Sequence, residues 1–442
     1  MLLRISLFLT VLATVSAASK HPKTRAIAPR DDSPIDDGLL ELVRQRARDT
    51  SLRSWELGTL AEAFLELDWP HLSVFGENGV PPPRDGTGPN NLTTVLQLAN
   101  YALAIRPEGI VTLFADGAVG DPPSLGVAVL LANWTKASHP GMARNNYDTP
   151  LRQQMDYVIN EAPRTDDGAI SHRSERVQLW SDFIYMAPPF MAYYAALHQP
   201  TVDRDLLYES YNQIKLYRNY MFDEDPGLWK HILMGNFQDE GHWGTGNGWA
   251  AAGIMRVLCT INQTTLGYDP DFVAAQRDLQ NWATEIVNNA WKFQQSSIDA
   301  AVRARDLIRS RINPNDGWVD QVVDPYAWGS EGKESPEGQS FVLLMEAAWR
   351  GWRSYLDSVD SPSSSSESAK PTATRTTSTV TEEVTVTLTS EEVDGETQGI
   401  QQATITGKTS TAAGSTATAT RGSSNRGSKV CRRKLKNKHL DL

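Results

Sequence analysis

Disulfide chemistry has almost no place in this chain. Its 442 residues include two cysteines, Cys259 and Cys431. No disulfide framework can hold it together, so its stability must come from a large buried core. A basic excess is lacking too. Lys and Arg total 42 against 53 Asp and Glu, a formal net charge of -11, and nucleic acid is not an expected partner. Beyond the N-terminus no segment reaches the ~18 apolar residues of a membrane helix, so no membrane span is expected. Alternation of period two is scarce, which argues against a large sheet. The chain also has no HExxH, no Cys/His cluster, no phosphate loop and no GxSxG elbow. These gaps leave metal, nucleotide and serine-hydrolase chemistry unsignalled, and no cofactor is expected.

What is present begins with an address. MLLRISLFLTVLATVSAASK carries Arg4, an apolar run from Ile5 to Val15, and small residues at Ser16, Ala17 and Ala18. Residues 1–18 read as a secretory signal peptide, so the protein is expected outside the cell or at its wall. Three glycosylation sequons start at Asn91, Asn133 and Asn262 and fit that destination. Residues 19–35 read as a disordered leader and 36–358 as the folded domain. The Ser/Thr-rich segment 359–442 reads as a disordered tail with a basic end. That end could touch acidic wall polymer; a solvated tail is the plainer reading.

Helical spacing dominates the folded domain. Phe272, Ala275, Leu279, Trp282, Ile286 and Phe293 fall on one face, as do Leu207, Tyr211, Ile214 and Met221. Phe341, Leu344, Met345, Ala348 and Trp352 make a third stripe. Similar stretches lie near 38–48, 92–105, 123–134, 150–160, 174–197, 246–261 and 297–310. The pattern gives roughly ten to twelve helices. That number predicts an all-α ring of six helical hairpins, an (α/α)6 barrel.

Two acids sit in apolar company. Asp182 lies within QLWSDFIYM, and a helix over 175–187 would put Gln178, Asp182 and Tyr185 on one face. Such a carboxylate needs an ion-pair partner, a shifted pKa or a cavity. Asp121 precedes Pro122-Pro123, where an N-cap is the plain reading. His172 and Arg173 precede Asp182, and alone would be a surface loop. His231, Trp243 and Trp249 flank a Gly-rich stretch with Thr245 and Asn247. That stretch could be only a turn and cap. Flat aromatic faces edged by polar donors also suit a sugar. Two acids among aromatics in a secreted helical chain favour glycoside chemistry.

In order, these motifs resemble the unsaturated uronyl hydrolases of glycoside hydrolase families 105 and 88, above all the unsaturated rhamnogalacturonyl hydrolases of the six-hairpin glycosidase superfamily. The carrying residues are Asp121 with Gly126; His172, Arg173, Gln178, Trp180, Asp182, Tyr185 and Met186; Gly227, Leu228 and His231; Trp243, Gly246, Asn247, Gly248 and Trp249; and Glu334 with Ser335. Thr245 stands where the family signature has Arg. The resemblance implies an (α/α)6 barrel with Asp182 and Asp121 as catalytic residues. It places His172, Arg173, Gln178, Trp180, His231, Trp243, Thr245, Asn247 and Trp249 at the substrate. The implied reaction is hydration of the 4,5-double bond of a terminal unsaturated uronic acid on a pectin-derived oligosaccharide. Two other readings stay open. One is mannan-type hydrolysis on the same barrel, for which Asp166-Asp167 is an adjacent acid pair. The other is a sugar-binding protein without turnover.

Overall fold

A computed structural model describes residues 33–77, 79–84, 92–136, 144–197, 201–290, 297–323, 331–332 and 334–360. The signal peptide, most of the leader, Asn91, Cys431 and the tail beyond Asp360 lie outside these residues.

Among the described residues there are twelve α-helices: α1 Asp37–Thr50, α2 Ser54–Asp68, α3 Thr93–Ile105, α4 Gly126–Thr135, α5 Asp148–Asp156, α6 Phe183–Met186, α7 Pro188–Leu197, α8 Arg204–Met221, α9 Gly244–Gln263, α10 Pro270–Ala290, α11 Ser297–Arg309 and α12 Pro336–Asp360. They form the expected all-α (α/α)6 barrel. Short antiparallel ribbons decorate it: β1 Gln178–Trp180 with β4 Ile232–Met234, β2 Phe222–Asp223 with β3 Leu228–Trp229, and β5 Val322–Val323 with β6 Glu331–Gly332.

Inner and outer helices differ in pattern as their surroundings demand. In α8 and α10 burial follows one stripe, as in Leu207, Tyr211, Ile214 and Met221, and the other face is wet. Nearly every residue of α4, α7 and α9 is buried, since these helices are covered on all sides. The ring closes where α12 packs on both α1 and α2. Gly126 opens α4 without a side chain because any Cβ would collide with the Phe190 ring of α7.

Three expectations change. No helix was expected over 54–68, yet α2 is an inner helix; Leu57, Leu60, Ala61, Phe64 and Leu65 at helical spacing are its signal. The helix expected over 174–197 is a strand, a turn, the short α6 and then α7, which begins at Pro188-Pro189 where a missing N–H costs nothing. Gln178, Asp182 and Tyr185 therefore do not share a helix face. Finally, the leader is ordered at its end. The Ile35 side chain is buried and its N–H donates to Glu346 at 3.1 Å, while Ser33 O accepts from Arg305 at 2.8 Å.

Candidate active site

A cavity of about 420 Å³ opens in the barrel, within the roughly 300–1,000 Å³ usual for small-molecule sites. Its walls are Trp55, Asp121, His172, Arg173, Trp180, Asp182, Met186, His231, Phe237, Trp243, Trp249 and Glu337. Both acids singled out from sequence thus face one space.

Backbone bonds bring them there. His172 O accepts from the N–H groups of Val119 and Gly120 at 2.9 and 3.2 Å, which fixes the loop that carries Asp121. Asp121 makes no side-chain capping bond to the turn Pro122–Leu125, so it is no N-cap in the hydrogen-bonding sense. Its Oδ1 lies 3.4 Å from His172 Nε2 instead. Asp182 follows β1, whose pairing with β4 sets Trp180 opposite Ile232. Ser181 N–H donates to His231 O at 3.0 Å, so Asp182 and His231 arrive together. Asp182 Oδ2 lies 3.8 Å from His231 Nε2, and His231 Nδ1 lies 2.9 Å from Asp239 Oδ2.

Burial pushes the cavity's carboxyls toward the protonated form. Burial raises Asp121 well above the usual carboxylate range; Asp116, Asp182 and Glu337 push it further and Arg173 opposes. Burial also raises Asp182, and His231 opposes. A charge on Asp182 makes ionisation of Asp121 harder, since like charges in one dry space repel. Glu337 is pushed up to about 8 by burial, with Asp182 and Glu56 adding and a hydrogen bond from Trp55 opposing. His172 is held down at about 3 by burial, Arg173 and His231, so its imidazole is neutral.

Aromatic faces complete the walls. The rings of His172 and Trp180 stack at 5.1 Å, His231 and Trp243 lie 4.5 Å apart, and Trp249 rests on Phe341 at 4.7 Å. Among the described lining residues Arg173 is the one permanent cation.

Three residues expected at the substrate stand behind the wall. Gln178 is buried and donates from Nε2 to the carbonyls of Met234 and Phe237 at 3.2 and 2.8 Å. Asn247 holds Trp229, accepting its N–H at 2.8 Å and donating to its carbonyl at 2.9 Å. Thr245 is buried in the first turn of α9. The Gly246-Asn247-Gly248 stretch is helix, not a tight turn.

Four lining residues went unassigned from sequence. Met186 was matched only as a motif letter, and Trp55 rides on the unexpected α2. Phe237 is 44% exposed at the mouth. Glu337 lies in the first turn of α12, just after Glu334 and Ser335, which had been singled out; Glu334 is exposed with a left-handed φ of 54°. The Asp166-Asp167 pair lies in a polar turn, where Asp167 accepts from Thr165 and Tyr220. Neither residue lines the cavity.

Residues 132–297 match the sequence model of Glycosyl Hydrolase Family 88. A protein from Salmonella enterica subsp. enterica serovar Paratyphi A, described as a possible member of glycoside hydrolase family 105, has a similar structure. The TM-score is 0.51 at 15% identity, covering 74% of this chain and 100% of that one. A second, from Klebsiella pneumoniae subsp. pneumoniae and described in the same way, gives 0.46 at 16% identity, covering 75% and 96%. The first likeness is one of fold. No curated protein matches the chain significantly.

Proposed function

We propose that this glycoside-hydrolase-like chain is a secreted enzyme that removes the terminal 4,5-unsaturated uronic acid from oligosaccharides left by a pectin or rhamnogalacturonan lyase. The supporting observation is the meeting of Asp121 and Asp182 in one aromatic cavity that raises both carboxyl pKa values. A proton held near working pH is what a general acid needs.

In this reading the terminal ring lies between Trp180 and Trp243. Asp182 gives its proton to C4 of the enol ether, and the double-bond electrons form the new C–H bond. The cation at C5 takes water, whose proton returns to the Asp182 carboxylate. The resulting hemiketal opens to a ketone, and the hemiacetal exposed at C1 releases the neighbouring sugar. Asp121, its pKa raised well above the ordinary range beside neutral His172, can donate a hydrogen bond in its protonated form. Arg173 is the group suited to the uronate carboxylate, since its fork matches one. The Ser/Thr-rich tail fits a wall-proximal setting.

The charge balance favours one second reading. Among the described lining residues Arg173 is the one permanent cation, and Thr245 adds none, which suits a binding protein for less acidic sugar. One assay separates the two. Lyase-treated rhamnogalacturonan is incubated with the protein, and the ultraviolet absorbance of the double bond is followed. The expected result is loss of absorbance, with Asp182→Asn slower by at least about a hundredfold and still folded. Saccharide binding without absorbance loss favours the binding protein. An Asp182→Asn variant at wild-type rate removes Asp182 from the chemistry.

A further inference from the structure

Phe237 is a large apolar side chain that folding leaves 44% exposed, at the mouth of the cavity whose floor holds His172 and His231, both almost fully buried. An exposed aromatic alone says little. Here the surrounding backbone is fixed to hold it. Met234 and Gly235 both adopt left-handed conformations, with φ of 67° and 74°. For Met234 that is unfavourable and persists because neighbours impose it. Gly235 has no room for a side chain: a Cβ would come within 2.8 Å of the Gln178 amide. That amide donates to the carbonyls on either side of the turn, Met234 at 3.2 Å and Phe237 at 2.8 Å. Its Oε1 accepts the indole N–H of Trp180 at 3.1 Å. The Phe237 ring then stands edge-on to Trp180, centroids 5.9 Å apart. One buried side chain thus sets the cavity wall and the rim aromatic in fixed relation.

We infer that Phe237 is a specificity-determining residue: its ring is the stacking platform for the second sugar, the one on the leaving-group side. This rests on the reading that the cavity takes the terminal ring of an oligosaccharide. A chain entering by its end places its first ring among Trp180, Asp182 and Trp243, and its next ring at the mouth. A sugar's C–H face on an aromatic face is a contact of the aromatic-pair kind. Gln178 is a positioning residue that acts through this turn.

The test compares the full-length protein with Phe237→Ala and Phe237→Trp on two substrates that share the terminal unsaturated uronic acid. One carries a second sugar ring and the other a methyl group. Phe237→Ala should lower kcat/KM on the disaccharide, mostly through KM, by about tenfold more than on the methyl glycoside. Phe237→Trp should match or exceed wild type on the disaccharide. Equal loss on both substrates, or on neither, overturns the inference. If wild type consumes neither, the proposed reaction is wrong and the platform is judged by binding. Titration with di- and trisaccharides, read by tryptophan fluorescence, then supports it if Phe237→Ala weakens binding. Unchanged binding, or none with wild type, overturns it.

Discussion

His231 Nε2 stands 3.8 Å from Asp182 Oδ2. Asp239, 2.9 Å from the other ring nitrogen, fixes the imidazole in that orientation. His231 works against burial by lowering the Asp182 pKa. Removing it should therefore raise that pKa further. A general acid is active while protonated, so the alkaline limb of the rate–pH profile should move to higher pH in His231→Ala. Activity against pH with the unsaturated disaccharide measures this. A limb that stays in place or moves down assigns that limb to another group.

Asn247 is expected to matter through Trp229 and not through substrate. Asn247→Ala leaves a buried N–H and a buried carbonyl of Trp229 without their partners, at roughly 1–3 kcal/mol each. Urea denaturation should show a loss of about 2–6 kcal/mol. Because Asn247 also donates to Trp243 O at 3.1 Å, KM should rise more than kcat falls. An unchanged midpoint would restore a direct role at the substrate.

Glu337 ties stability to pH. Its carboxyl is raised from 4.5 to about 8 in the folded chain, so between those values the native state holds a proton that the unfolded state has lost. The Glu337 contribution to stability is complete below about pH 4.5 and is lost as pH rises through about 8. Glu337→Gln has no proton to lose there. The decline of Tm across that window should flatten in the variant. Parallel Tm profiles for the two proteins would refute the assignment.

Glu346 and Arg305 form a fully buried pair, 3.1 Å apart. Glu346 also accepts Ile35 N–H, and Arg305 donates to Ser33 O. Glu346→Ala strands a buried guanidinium and should cost about 3–5 kcal/mol in chemical denaturation. Protease sensitivity near residue 35 should rise with it. A loss below about 1 kcal/mol would mean that water replaces the pair.

The helices were legible because their stripes are long: Leu207 to Met221 and Phe272 to Ile286 repeat over several turns. The ribbon at Gln178–Trp180 was not, since three apolar-flanked residues look alike as strand or helix. Asp121 and Asp182 could be named because a carboxylate is costly among apolar neighbours, whereas His172 and His231 were placed by the resemblance of their motifs. Gln178 and Asn247 were misplaced for a related reason. An amide that faces a sugar and one that ties down a carbonyl have the same letter, and only the partner tells them apart. Glu337 was passed over for Glu334 because position in a helix turn, and not the letter, decides which acid points inward.

The cavity draws on Trp55 from α2 and on Glu337 from α12, and α12 also supplies the Phe341 ring beneath Trp249. Synthesis runs from one end to the other, so Asp121 and Asp182 leave the ribosome long before the last wall of their enclosure exists. The Glu337 charge that pushes the Asp121 pKa higher is thus added only when the final helix docks.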